Sequence, residues 1–240
     1  MGKDSHDFPF VSGTEGIFLC LNSMVHFMPL LKLGAGNAKL ADTILTFSTP
    51  AGHCCPGAKH CHVLADRETG KLTKASDLLY DCYAARMEAR WPTVRDARWH
   101  NKDLVDSLTL TDLVDLMILS IHQHKRFKKA EMLRWFVSGD CDSIKLRDAI
   151  FTTTRELNHL IHYSYTKNLP LFLDIKKPEN YRLTASWGGR FDHLINPIDF
   201  PRNARVVRSV EEAAKLNLPI DKKDDLAYGP IDQPFALLYH

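Results

Sequence analysis

The stretch Thr43-Ile44-Leu45-Thr46-Phe47, followed by Ser48-Thr49-Pro50-Ala51-Gly52, decides how the rest of the chain is read. Its first five residues are β-branched, apolar or aromatic, the composition of a short buried strand. The next five are small and include Pro and Gly, which turn the chain out of that strand. Similar short runs recur at 132–137, 161–165, 181–186, 205–207 and 235–239. Helical patterns lie between them at 77–90, 93–101, 110–121, 142–160 and 209–216, the first two parted by Trp91-Pro92. Thr111 or Asp112 is placed to cap the third, and Ser209-Val210-Glu211-Glu212 has the form of a capping box. Strand–helix alternation predicts an α/β fold with a mostly parallel sheet. The expectation is that this sheet closes into a partial TIM-like barrel with outer helices.

The strand ends support that expectation. They run Phe47-Ser48-Thr49, Val137-Ser138-Gly139-Asp140, Tyr165-Thr166-Lys167, Ala185-Ser186-Trp187-Gly188-Gly189 and Val207-Arg208-Ser209. Apolar strands finishing in polar residues suit a site at the strands' carboxyl face. Each taken alone is also an ordinary turn or cap residue. Asp140, Lys167, Ser186 and Arg208 are placed to share that mouth. Lys167 and Arg208 could bind an anionic group there, and Asp140 could act as acid, base or acceptor.

Beyond the first strand come Cys54-Cys55-Pro56-Gly57-Ala58-Lys59-His60-Cys61 and then Cys82. Thiolates on a Pro- and Gly-bearing loop can wrap one metal centre, and soft ligands favour zinc or an iron–sulfur cluster. Adjacent cysteines seldom both ligate one ion, and the turn Cys55-Pro56-Gly57 makes Cys55 the better donor. The expected metal ligands are therefore Cys55, Cys61 and Cys82. Their spacing lacks the paired Cys-x2-Cys knuckles of most structural zinc sites, which favours a [4Fe-4S] cluster with zinc as the alternative. His53, His60 and His62 crowd the loop, so a Cys/His zinc site stays open. Cys141 is either a fourth ligand or an incidental thiol, and Cys20 reads as a core residue.

At 240 residues the chain can bury a full core, and nothing divides it, so 1–240 is expected to be a single α/β domain. A net charge of +2 gives no global case for nucleic acid or anionic membrane. The polar start Met1-Gly2-Lys3-Asp4-Ser5-His6-Asp7 and the lack of a long apolar run predict a cytosolic protein with no membrane partner. Six cysteines in a reducing compartment then read as thiols or ligands rather than disulfides. No Walker loop, dinucleotide fingerprint, serine-hydrolase elbow or His-Glu-x-x-His is found.

The stretch Ser48 to Cys61 resembles the Gene 88 protein family of tailed bacteriophages. So do Asp66-Arg67-Glu68-Thr69-Gly70-Lys71, Cys82-Tyr83-Ala84-Ala85 and Arg90-Trp91-Pro92-Thr93-Val94-Arg95-Asp96-Ala97-Arg98-Trp99-His100-Asn101. Downstream, Leu133-Arg134-Trp135-Phe136-Val137-Ser138-Gly139-Asp140, Tyr163-Ser164-Tyr165-Thr166-Lys167 and Leu183-Thr184-Ala185-Ser186-Trp187-Gly188-Gly189 are similar to it too. The likeness begins near Asn37 and matches the cysteines at Cys55, Cys61 and Cys82. It implies a phage protein acting in the host cytoplasm. The layout also resembles the radical SAM partial barrels, although the cysteine spacing departs from that superfamily's Cys-x3-Cys-x2-Cys.

Two functional expectations follow. One is a phage iron–sulfur protein, a redox or radical-type enzyme working with a small-molecule or redox partner. The other is a zinc-stabilised nucleic-acid-binding protein whose contacts come from Arg86, Arg90, Arg95, Arg98, Trp91, Trp99 and His100. Arginine and tryptophan together stack bases and grip phosphates. The same segment also reads as a helix that packs its tryptophans and solvates its arginines, and that reading is preferred.

Overall fold

The computed structural model describes residues 28–37 and 39–239. Cys20 and the polar N-terminal segment lie outside the described residues. Among the described residues, seven strands form one sheet. In chain order these are β1 (Gly34–Ala35), β2 (Ile44–Thr46), β5 (Met132–Trp135), β6 (Ile161–Thr166), β7 (Tyr181–Ser186), β8 (Asn203–Val207) and β9 (Phe235–Leu238). Strands β3 (Val63–Ala65) and β4 (Leu72–Lys74) form a separate antiparallel hairpin. The helices are α1 (Tyr83–Arg90), α2 (Pro92–Ser107), α3 (Leu110–His122), α4 (Ile144–Glu156), α5 (Val210–Lys215) and α6 (Asp225–Tyr228).

The sheet order β1-β2-β5-β6-β7-β8-β9 follows the chain. Only the β1–β2 pair is antiparallel; each later neighbour pairs in parallel. Right-handed crossovers put α3 and α4 on one side of such a sheet, while α6, in the β8–β9 connection, packs on the other. The ladder runs from β1 to β9 without joining its ends, so the expected closure into a TIM-like barrel is not shown. The edges are handled locally instead. Strand β1 is two residues long, and Ile220 bridges Ala236 on β9.

Both faces of the central strands are buried, as parallel strands require. One face carries Leu45, Leu133, Trp135, Leu183 and Ala185 against α3 and α4, with Leu113, Leu116, Met117, Leu146 and Ile150 in the same core. On β6 this face also holds His162, whose Nδ1 accepts from Trp135 Nε1 at 3.2 Å. Burial lowers the His162 pKa to about 4, which keeps the imidazole neutral and able to accept.

The opposite face packs Ile44, Tyr163, Ala204 and Phe235 against α6. Here the fully buried Asp224 carboxylate gathers Lys39 at 2.7 Å, Arg134, and the hydroxyls of Tyr163 at 3.3 Å and Tyr165 at 3.4 Å. Arg202, also buried, donates to Gly229 O, Ile231 O and Asp232 and holds the chain after α6.

Helix ends follow the residues. Thr109 caps α3 by accepting from Asp112 N, two or three residues before the expected Thr111 or Asp112. Ser209 accepts from Glu212 N at the start of α5, as the capping box predicts. Helix α1 starts at Tyr83, later than expected, and α2 runs on to Ser107 from the Pro92 that breaks it from α1.

Asn at position 224 keeps the size of Asp and tolerates its left-handed backbone (φ 65°) while removing the charge. Asp224→Asn is expected to cost about 3 kcal/mol in urea unfolding, because it leaves Arg134 buried without its counter-charge.

Candidate functional site

The loop after β2 is fastened across the carboxyl ends of its neighbours. Phe47 N donates to Arg134 O, Thr49 N to Ser138 O and Val137 N to Phe47 O, which extends the pairing with β5 beyond the strands. Farther along, Ala58 bridges Gly189, Arg190 N donates to Gly57 O at 2.8 Å, and His60 N donates to Gly188 O at 3.1 Å. The loop therefore lies over the ends of β6 and β7. Gly57 is required by space: a Cβ there would stand 2.2 Å from the Lys167 carbonyl oxygen. Gly139 combines φ +79° with a Cβ position 2.0 Å from Thr49 Oγ1.

Three of the four residues expected at the mouth do meet. Asp140 is buried and accepts from Cys141 N at 2.7 Å and Lys167 N at 2.8 Å. Its burial raises the carboxyl pKa to about 6, against the pull of those amides. Lys167 Nζ donates to Ser186 Oγ at 2.7 Å and also to the Ser186 and Trp187 carbonyls. Arg208 is exposed, and its backbone amide donates to Glu212 at the α5 cap instead.

Cys55, Cys61 and Cys82 come from a turn, a loop end and the N-cap of α1, and they share one neighbourhood. Cys55 Sγ accepts from Gly52 N at 3.3 Å. Burial pushes the Cys55 thiol well up, and Asp140, Cys82 and Cys61 push the same way. Burial also raises Cys61, with Lys167 pulling down and Cys82 and Asp140 pushing up. Cys82 is raised by burial, opposed by the Ala85 and Ala84 amides at the helix start. The three thiols thus lie within electrostatic reach of one another.

The remaining described cysteines face other groups. Cys54 lies by Thr49, Asp142 and Lys102, its thiol pushed up to about 12, chiefly by burial. Cys141 is buried, with Sγ 3.6 Å from Ser143 O. The loop histidines brace backbone carbonyls: His53 at Ala65 O, His60 at Asp77 O and His62 at Gly52 O. Among the described residues no three His, Cys, Asp or Glu side chains form a group that could hold a metal ion. The expected convergence of the thiols on one ion is thus not shown.

Glu88 was missed by sequence reasoning, and it ties the site together. It is fully buried, and its Oε1 accepts from Ala51 N at 2.9 Å, Arg98 Nη1 at 2.6 Å and Ser138 Oγ at 3.2 Å. The signal was present: Glu88 falls four residues after Ala84, on the small-residue face of α1. The same packing corrects the Arg/Trp reading. Arg95 and Arg98 are 5% and 8% exposed. Arg95 donates to the carbonyls of Arg67, Glu88 and Glu68, and Arg98 to Ala84 O and Glu88. Trp99 packs between His53 and Arg67, and His100 meets Leu30 O. Arg86, Arg90 and Trp91 stay exposed, with Arg86 paired to Asp81 and Arg90 over the Trp91 ring.

No helix of the described residues is long and apolar enough to cross a membrane. A family model described as Gene product 88 matches residues 29–239. No curated protein and no solved structure matches the chain, so the likeness to radical SAM partial barrels is unsupported.

A raised thiol pKa lowers the thiolate fraction at a given pH. In protein stripped of metal, iodoacetamide should label Cys61 more slowly at pH 8 than it labels an unstructured cysteine peptide, with the rate still rising above pH 9. Peptide mapping by mass spectrometry checks this. Gly57→Ala should raise Cys55 labelling about tenfold or more, because the new methyl forces the loop off Lys167.

Proposed function

Because the chain belongs to the Gene product 88 family, a family of phage proteins, we propose that it carries a [4Fe-4S] cluster on Cys55, Cys61 and Cys82 and works as a redox or radical-type enzyme in the host cytoplasm. The observation that carries this reading is that three part-buried thiols lie within electrostatic reach of one another beside the carboxyl ends of a parallel sheet. A four-iron cluster binds each thiolate through a different iron, so the sulfurs need not close on a single ion. Lys167 and the amides at the start of α1 favour thiolate and would offset the charge of such a cluster. With three protein ligands one iron would stay open to a small molecule, and the cluster would supply electron transfer at that position. Asp140, Lys167 and Ser186 would stand beside it as polar contacts for substrate.

The zinc-stabilised nucleic-acid reading keeps less support. Two of its arginines, Arg95 and Arg98, spend their donors inside the fold.

Anaerobic reconstitution of single variants tests the assignment. Cys55→Ala, Cys61→Ala and Cys82→Ala should each lose bound iron and sulfide, while Cys54→Ala and Cys141→Ala keep them. Full retention in any of the first three would sink the ligand set. A circular-dichroism melt separates loss of cluster from loss of fold.

A further inference from the structure

A groove of about 320 Å³ opens between the β1–β2 edge and the first turns of α2, and no cysteine is among its lining residues. Lys32, Thr46, Ser48, Thr93, Arg98 and Asn101 supply its polar lining, and among the described residues no carboxylate lines it. Lys32 is exposed at the rim, whereas Arg98 is 8% exposed. Both hydrogen bonds of Arg98 leave from Nη1, to Ala84 O and Glu88 Oε1. Among the described residues nothing hydrogen-bonds its Nε–Nη2 edge, and that edge is the one that meets two oxygens of an oxyanion side by side. Glu88 fixes the guanidinium from one side, so the free edge is held in place before any ligand arrives. The start of α2, a 16-residue helix, adds its positive end beside Thr93 and Val94.

We propose that this groove is a binding site for the phosphate group of a small phosphate ester. Two cations, a helix start and the hydroxyls of Thr46, Ser48 and Thr93 offer more donors than the two oxygens of a carboxylate can use. The three terminal oxygens of a phosphate monoester match them better; the dianion gains more from the charge of Lys32, while Arg98, its charge offset by Glu88, supplies hydrogen bonds. The groove volume leaves room for a small organic group beyond the phosphate. This site is independent of the iron–sulfur reading, since none of its residues is a cysteine.

The test is calorimetric titration of the full chain with inorganic phosphate at fixed ionic strength, with sodium acetate and sodium chloride in parallel. Lys32→Glu reverses the rim charge at an exposed position, and Ala97→Leu fills the groove with a good helix former. Phosphate should bind saturably, and either variant should weaken it about tenfold or more, the loss expected for one charge-assisted contact. Acetate should bind far more weakly. Equal phosphate binding by both variants, or the same heat from chloride, would overturn the site. Acetate binding as tightly as phosphate would overturn the ligand class. All three cysteines stay in place in both variants, so failure here leaves the cluster assignment untouched.

Discussion

A single buried carboxylate joins the parts that carry the cysteines. Glu88 accepts at once from the turn that leads into Cys54 and Cys55, from α2 through Arg98, and from the end of β5 through Ser138. Its own helix begins at Cys82. Burying one charge is costly unless it is paired and hydrogen-bonded, and here one oxygen does all three jobs. The arrangement holds the turn that leads into Cys54 and Cys55, and the helix capped by Cys82, against the same strand end. The loop between them is then closed from the far side by Gly57 on Lys167 and by the Ala58–Gly189 bridge.

The sheet explains why such a knot sits where it does. Parallel strands end on one side, so loops after β2, β5, β6 and β7 meet without any long reach. Asp140 in the loop after β5, Lys167 just past β6 and Ser186 at the end of β7 are linked by hydrogen bonds that run from one loop to the next. On the two faces below, the chain uses different chemistry. One is an apolar core under α3 and α4; the other is a polar clamp in which Asp224 and Arg202 hold the α6 segment. The mouth therefore rests on a rigid base, which a site that must hold several side chains in fixed relation requires.

The central strands were legible because each is buried on both faces and so is written in β-branched and aromatic residues. Ile44-Leu45-Thr46, Leu133-Arg134-Trp135 and Ile161 to Thr166 could hardly be read otherwise. Strand β1 and the β3–β4 hairpin left no such trace; two or three residues carry no period, and Leu72-Thr73-Lys74 is largely exposed. Barrel closure was an inference from alternation alone, and alternation sets parallel winding without setting whether the ends meet. The cysteine spacing pointed to Cys55, Cys61 and Cys82 as a set. The fate of the arginines was hidden, because a long guanidinium that reaches backbone carbonyls looks in sequence like one that reaches solvent. Arg95 and Arg98 are such residues. Asp224 was hidden likewise, since Asp221-Lys222-Lys223-Asp224-Asp225 has the composition of a solvated turn.

The account stands on what the three thiols bind. Iron, zinc and acid-labile sulfide analysis of anaerobically purified full-length protein measures that directly. The account predicts a brown protein with about four iron and about four sulfide per chain and little zinc. A colourless protein holding about one zinc and no sulfide would contradict it.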